Sequence, residues 1–134
     1  GVSQMNRLNK FIKKRNYIAK YYEKNLVKEN LKFQKISKQN ISSRHLFIIY
    51  VKNKKRDQLY NFLKKNKIQT NLHYIPIYRQ PYYKKFKFNK NHFHNAEEYY
   101  SKALSLPIHY KLTSAQQNFI IKKINNFFYK KSYE

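Results

Sequence analysis

The sequence predicts an α+β chain of about one domain, with a long N-terminal helix and a small sheet covered by helices. Three observations predict it. A length of 134 residues with 41% hydrophobic and 18% aromatic content is enough for one core and excludes disorder throughout. The first thirty residues carry apolar side chains at the three- and four-residue spacing of a helix. Beyond them, short runs of branched and aromatic residues alternate with helical patterns, the signature of helices packed on a sheet.

Residues 3–30 are expected to form one helix, with Met5, Leu8, Ile12, Ala19, Tyr22 and Leu26 on its apolar stripe and Phe11 and Ile18 widening it. Arg15 interrupts the stripe and is read as a side chain whose stem packs while its head reaches the edge. A helix this long exceeds what one small core needs, so residues 1–34 are assigned as an element spanning between two bodies and 35–134 as the small domain. His45–Val51 is a nearly continuous apolar run, expected to be a central strand buried on both faces. Asn53 suits the cap of the next helix, Asp57 its first turn, Leu59, Phe62 and Leu63 its buried side, and Asn66 its end.

Ile68–Tyr74 is the next expected strand, and Pro76, which has no N–H to donate, ends it. Lys84–His94 is basic and aromatic without a clear period. Asn95 and Glu98 form a capping-box pattern opening a helix with Ala96, Tyr99, Tyr100, Ala103 and Leu104 on one face. Leu104–Leu106 is a short strand stopped by Pro107. A second capping box, Thr113 with Gln116, opens a closing helix that turns Ile120, Ile121, Ile124, Phe127 and Phe128 inward. The sheet therefore has three or four strands.

The balance of 30 Lys and Arg against 6 Asp and Glu gives a net charge of +24. Such charge ordinarily points to a polyanion partner, and a basic nucleic-acid-binding module is the alternative reading of the chain. The lysines are nevertheless scattered, and they come with abundant Asn, Ile, Tyr and Phe and one glycine, as adenine- and thymine-rich codons produce. The charge is read as coding bias on wet surfaces. Without cysteine there is no disulfide, thiolate metal site or cysteine nucleophile. No apolar run is long enough to span a bilayer and no signal peptide is present, so a cytoplasmic protein is expected.

The stretch Thr70–Tyr83 concentrates the groups suited to binding: His73, four tyrosines, Arg79 and two of the three prolines. Loops leaving strand ends commonly present such groups. A self-sufficient active site is absent. Asp57 is the only aspartate and is explained by its helix start, and Glu23, Glu29, Glu97, Glu98 and Glu134 form no evident pair. His92 and His94 lack a third ligand and are read as a solvated loop, so no metal site is assigned. With one glycine, no phosphate-cradling glycine loop exists.

The run Thr70-Asn71-Leu72-His73-Tyr74-Ile75-Pro76-Ile77-Tyr78-Arg79-Gln80-Pro81-Tyr82-Tyr83 resembles the His-Tyr-x-Pro … Gln-Pro-x-Tyr segment of the DegT/DnrJ/StrS sugar-nucleotide aminotransferases. Asn95–Tyr100 with Leu104-Ser105-Leu106-Pro107 is similar to that family's Ala-Glu helix and Leu-Ser-Leu-Pro strand. Arg44–Phe47, the Leu112–Gln117 helix start and the opening Gly1–Leu8 match in the same order, so the likeness covers nearly the whole chain. The Asn-x-His-Tyr-x-Pro and Asn-Ala-Glu-x-Tyr-Tyr variants are most similar to members working in pseudaminic acid biosynthesis.

This resemblance implies the small C-terminal domain of a pyridoxal-phosphate-dependent enzyme of the aspartate-aminotransferase type. The large domain, which carries the Schiff-base lysine and binds most of the pyridoxal 5'-phosphate, is expected outside this chain, as the start at Gly1 also suggests. It implies a homodimer acting on a UDP-sugar with an amino-acid donor. His73, Tyr74, Ile75, Pro76, Tyr78 and Arg79 are the implied substrate-binding residues; no catalytic residue is assigned within the chain. One departure stands out: Lys67 occupies a position where the family usually has glycine, leaving Asn66 to take over the helix end. An inactive remnant of such an enzyme is the further alternative.

Overall fold

The computed structural model describes residues 2–129. A turn of helix, α1 (Val2–Met5), leads into α2 (Leu8–Asn25), followed by β1 (Leu31–Phe33), β2 (Phe47–Val51) and α3 (Arg56–Lys65). Three 3-10 turns, Ile77–Arg79, Pro81–Phe86 and Lys90–Phe93, come before α4 (His94–Lys102). That helix runs straight into β3 (Ala103–Leu106), and α5 (Ser114–Tyr129) is the last described element. The chain is α+β, and its three strands form an antiparallel sheet in the order β1-β2-β3.

Strand alternation decides how the layers form. Phe47, Ile49 and Val51 are buried while Ile48 and Tyr50 between them are only half-buried. The buried set aligns with Leu31 and Phe33 of β1 and with Leu104 and Leu106 of β3. Ile18 and Tyr22 of α2, Leu59 and Leu63 of α3, and Ile120, Ile121, Ile124 and Phe128 of α5 complete this core. Each fully buried aliphatic or aromatic side chain contributes about 1.5–3 kcal/mol of transfer free energy. The Tyr22 ring stacks on Phe47 at 5.1 Å, its hydroxyl donates to the Pro107 carbonyl at 3.0 Å, and burial pushes the phenol well above its usual range. On the other face α4 covers β2, with Tyr99 meeting Tyr50 edge-on at 5.4 Å.

Several sequence expectations hold. β2 is central, Leu59 and Leu63 are the buried side of α3 with Phe62 packed beside them, and Pro107 follows the last residue of β3. The Thr113 capping box is reciprocal: Gln116 N–H donates to Thr113 Oγ1 at 3.2 Å, and Thr113 N–H to Gln116 Oε1 at 3.0 Å. Arg15 is partly buried, its Nε without a hydrogen-bond partner. Gly1 and Glu134 lie outside the described residues.

Other expectations are corrected. The long helix ends at Asn25, not at residue 30, and Leu31–Phe33 within the assigned 1–34 helix is a strand. The cause is distant: the Asn125 side chain of α5 donates to Asn25 O at 2.9 Å and accepts from Val27 N–H at 3.2 Å, fixing the chain as it leaves the helix. Ile68–Tyr74 is not a strand. Only Asn71 pairs with Ser105: on one side the facing residue, Pro107, has no N–H to give, and on the other the Ala103 N–H is taken by Tyr99 O. β2 is buried fully on one face only, whereas all four residues of β3 are buried.

Asn53 does not cap α3; it lies with Lys54 in a left-handed turn (φ 58° and 54°) ahead of it. Asn66 does not take the left-handed end of α3, since its φ is −88° and Lys67 adopts +60° instead. Asn95 lies inside α4, which begins at His94, and Ala103 and Leu104 belong to β3 rather than to that helix.

Candidate functional site

The two prolines shape the 70–83 stretch. Pro76 precedes the turn Ile77–Arg79, closed by Arg79 N–H to Pro76 O at 2.9 Å; Pro81 opens Pro81–Phe86, where its fixed φ and missing N–H cost nothing. Pro76 is buried and anchors the loop, while Tyr74 and Ile75 beside it are 72% and 46% exposed. The peptide bond joining His73 and Tyr74 is cis, and their rings meet edge-on at 4.7 Å.

Two contacts tie the loop to its neighbours. The Arg79 guanidinium forks onto both carboxylate oxygens of Glu97 in α4, with Nε to Oε1 at 2.7 Å and Nη2 to Oε2 closing the pair. Bidentate pairs of this kind are the strong, geometrically specific ones. The Tyr78 ring stacks on Phe93 at 4.5 Å, and Phe88 meets Phe93 edge-on at 5.9 Å. The loop is therefore held by one fork and one aromatic cluster.

Within the 70–83 stretch four polar atoms are buried without any hydrogen-bond partner: Thr70 Oγ1, His73 Nδ1, His73 Nε2 and Tyr78 Oη. Buried polar groups are satisfied in the great majority of cases, and leaving one unpaired costs about 1–3 kcal/mol. Three of the four belong to His73 and Tyr78, while Arg15 Nε and Arg44 Nε are unpartnered elsewhere among the described residues. Ile75, Tyr78 and Arg79 line a cleft of about 530 Å³ together with Lys84, Lys87, Phe88 and Tyr100. His73, Tyr74 and Pro76 do not line it, so the six sequence-assigned residues are divided between the cleft and the loop behind it.

Sequence reading missed Glu97, the partner of Arg79, because eighteen residues separate them. It also missed Lys84, Lys87, Phe88 and Tyr100; the only signal was the basic and aromatic composition of 84–94. A larger cleft of about 740 Å³ lies across α4, between Asn95, Glu98, Tyr99 and Lys102 on the helix and Lys32, Tyr50 and Lys52 on the sheet. Its charges are partly spent: Lys102 bonds Glu98 at 2.5 Å, which holds that carboxyl below its usual range, and Lys52 donates to the Glu29 carbonyl at 2.6 Å. Among the described residues no His, Asp and Glu cluster fits a metal ion, and no helix is long and apolar enough to cross a membrane.

The profile of the DegT/DnrJ/EryC1/StrS aminotransferase family matches residues 1–125. An uncharacterized protein of Methanocaldococcus jannaschii is 33% identical over 84% of this chain and 31% of its own length. The UDP-4-amino-4,6-dideoxy-N-acetyl-beta-L-altrosamine transaminase of Campylobacter jejuni is 30% identical over 90% of this chain and 33% of its own. Among solved structures, Helicobacter pylori PseC, an aminotransferase involved in pseudaminic acid biosynthesis, superposes with a TM-score of 0.83 at 26% identity, covering 97% of this chain and 36% of that one. The chain thus spans about a third of the relatives it matches.

Proposed function

The chain belongs to the DegT/DnrJ/EryC1/StrS aminotransferase family, and from that membership we propose that it is the substrate-binding C-terminal part of a sugar-nucleotide aminotransferase. The complete enzyme transfers an amino group, with glutamate as donor, to a 4-keto sugar nucleotide in cell-surface or flagellar sugar biosynthesis. It works in the cytoplasm as a homodimer. The named Campylobacter and Helicobacter relatives support this substrate class.

Pyridoxal phosphate does not fit the residues described here. Such a site needs an enclosed amine and a carboxylate facing the ring nitrogen. No described lysine is buried, and Asp57, the single aspartate, is exposed at the start of α3 beside Arg56. The cofactor is accordingly assigned to a large domain outside this chain, with α2 as the connecting helix and residues from Leu31, where β1 joins the sheet, onward as the small domain.

The role of this chain is to bind and orient. His73 and Tyr78 supply hydrogen bonds to sugar and phosphate oxygens, Ile75 lines the cleft beside Tyr78, Tyr74 offers an exposed ring at its approach, and buried Pro76 anchors the loop that carries them. Arg79 sets the loop on α4 through Glu97 and keeps three of its five N–H groups for the substrate. The unpartnered His73 nitrogens and Tyr78 hydroxyl, set in the family's own His-Tyr-x-Pro loop, carry this reading.

Steady-state kinetics of the cofactor-loaded enzyme containing this segment test it. His73→Ala is expected to lower kcat/KM for the keto sugar nucleotide about tenfold or more, as loss of a buried hydrogen-bonding group does. An unchanged KM and kcat would remove His73 from the site.

A further inference from the structure

A sugar nucleotide brings a diphosphate, which needs cations that are not already matched. Arg79 is the obvious candidate from the sequence, yet its charge is forked onto Glu97. Lys85 is also engaged, its ammonium lying 4.1 Å from the centre of the Tyr82 ring. Lys84 and Lys87 differ. Both are exposed, both line the cleft beside Tyr78, and neither has an ion-pair partner among the described residues. Lys87 N–H donates to Lys84 O at 3.2 Å, and Lys87 takes a left-handed backbone (φ 48°), so one closed turn holds the two backbones together.

The geometry points to Lys84 and Lys87 as the pair that holds the diphosphate of the sugar nucleotide, with Arg79 positioning the loop and its three remaining N–H groups left for the sugar. This assignment rests on the sugar-nucleotide reading of the loop. Both lysines line one cleft, whose aromatic side chains Tyr78, Phe88 and Tyr100 stand beside them, and an ammonium group is a compact charge suited to a phosphate. The fold needs neither lysine, since both side chains are exposed and without partners.

Calorimetric titration of this chain with UDP, uridine and UDP-N-acetylglucosamine tests the assignment, with circular dichroism confirming that each variant is folded. Lys84→Gln/Lys87→Gln is expected to weaken UDP binding about tenfold or more and to leave uridine unaffected. Lys32→Gln/Lys35→Gln, in the cleft across α4, is expected to change nothing. Native-like UDP affinity in the first double variant overturns the assignment, as does equal weakening in the second, which marks a diffuse charge effect. If that first variant binds UDP normally while His73→Ala weakens UDP-N-acetylglucosamine, the lysine assignment falls and the loop reading stands. If the native chain binds neither nucleotide, both fall.

Discussion

Lys67 shows what a chain with a single glycine must do at its turns. Arg44, Asn53, Lys54, Lys67 and Lys87 all have positive φ among the described residues, where most proteins would use glycine. Lys67 ends α3 in a Schellman arrangement: Ile68 N–H donates to Leu63 O and Lys67 N–H to Lys64 O, both at 3.0 Å. A side chain in that conformation costs about 1–2 kcal/mol, offset in part by the greater unfolded-state freedom of glycine. Lys67→Gly is therefore expected to stabilise the chain by about 0.5–1 kcal/mol, raising Tm by about 2–4 °C. A lowered Tm in thermal unfolding would show that the lysine contributes something the backbone does not reveal. The resemblance marked this position from sequence, but which of Asn66 and Lys67 would turn left-handed depended on a hydrogen-bond pattern that no residue count displays.

At the scale of elements, legibility followed the reach of the determining contacts. The Thr113–Gln116 box is local, and its two hydrogen bonds formed as the sequence implied. Thr113→Ala is expected to cost about 1 kcal/mol, read by urea unfolding with an unchanged m-value; a loss below about 0.3 kcal/mol would mean that the α5 start is held by burial of Gln117 instead. The end of α2 was illegible for the opposite reason. Its partner Asn125 lies 100 residues from Asn25, so the helical spacing read straight through Leu26 and hid β1. The segment 68–74 misled in the same manner, since alternation predicts a strand and cannot show that its facing neighbour is a proline. The binding loop was found through its composition and its family likeness, whereas Glu97, Lys84 and Lys87 became visible only when α4 was set beside it.

For the molecule as a whole, the division of labour follows from where charge and polarity remain unmatched. A net charge of +24 is spread over the surface, and the larger basic cleft across α4 spends part of its charge internally. The smaller cleft is lined by Lys84 and Lys87, which have no ion-pair partner among the described residues, and by Tyr78, whose buried hydroxyl is unpaired. On the proposed reading, this contrast suits the 73–87 region to a compact anionic sugar ligand. The first turns of the chain differ: Met5 and Leu8 on the predicted apolar stripe are 64% and 40% exposed, and Val2 ahead of it 83%, while Ile18 and Tyr22 further on are buried.

NMR titration of this chain with UDP-N-acetylglucosamine, following the side-chain resonances of His73 and Tyr78, tests the sugar-nucleotide site most directly. Saturable shifts of both rings with one shared Kd, while the Tyr50 and Tyr99 rings of the other cleft stay in place, are the predicted result. Shifts confined to Tyr50 and Tyr99, or none at His73 and Tyr78 at saturating ligand, would contradict it.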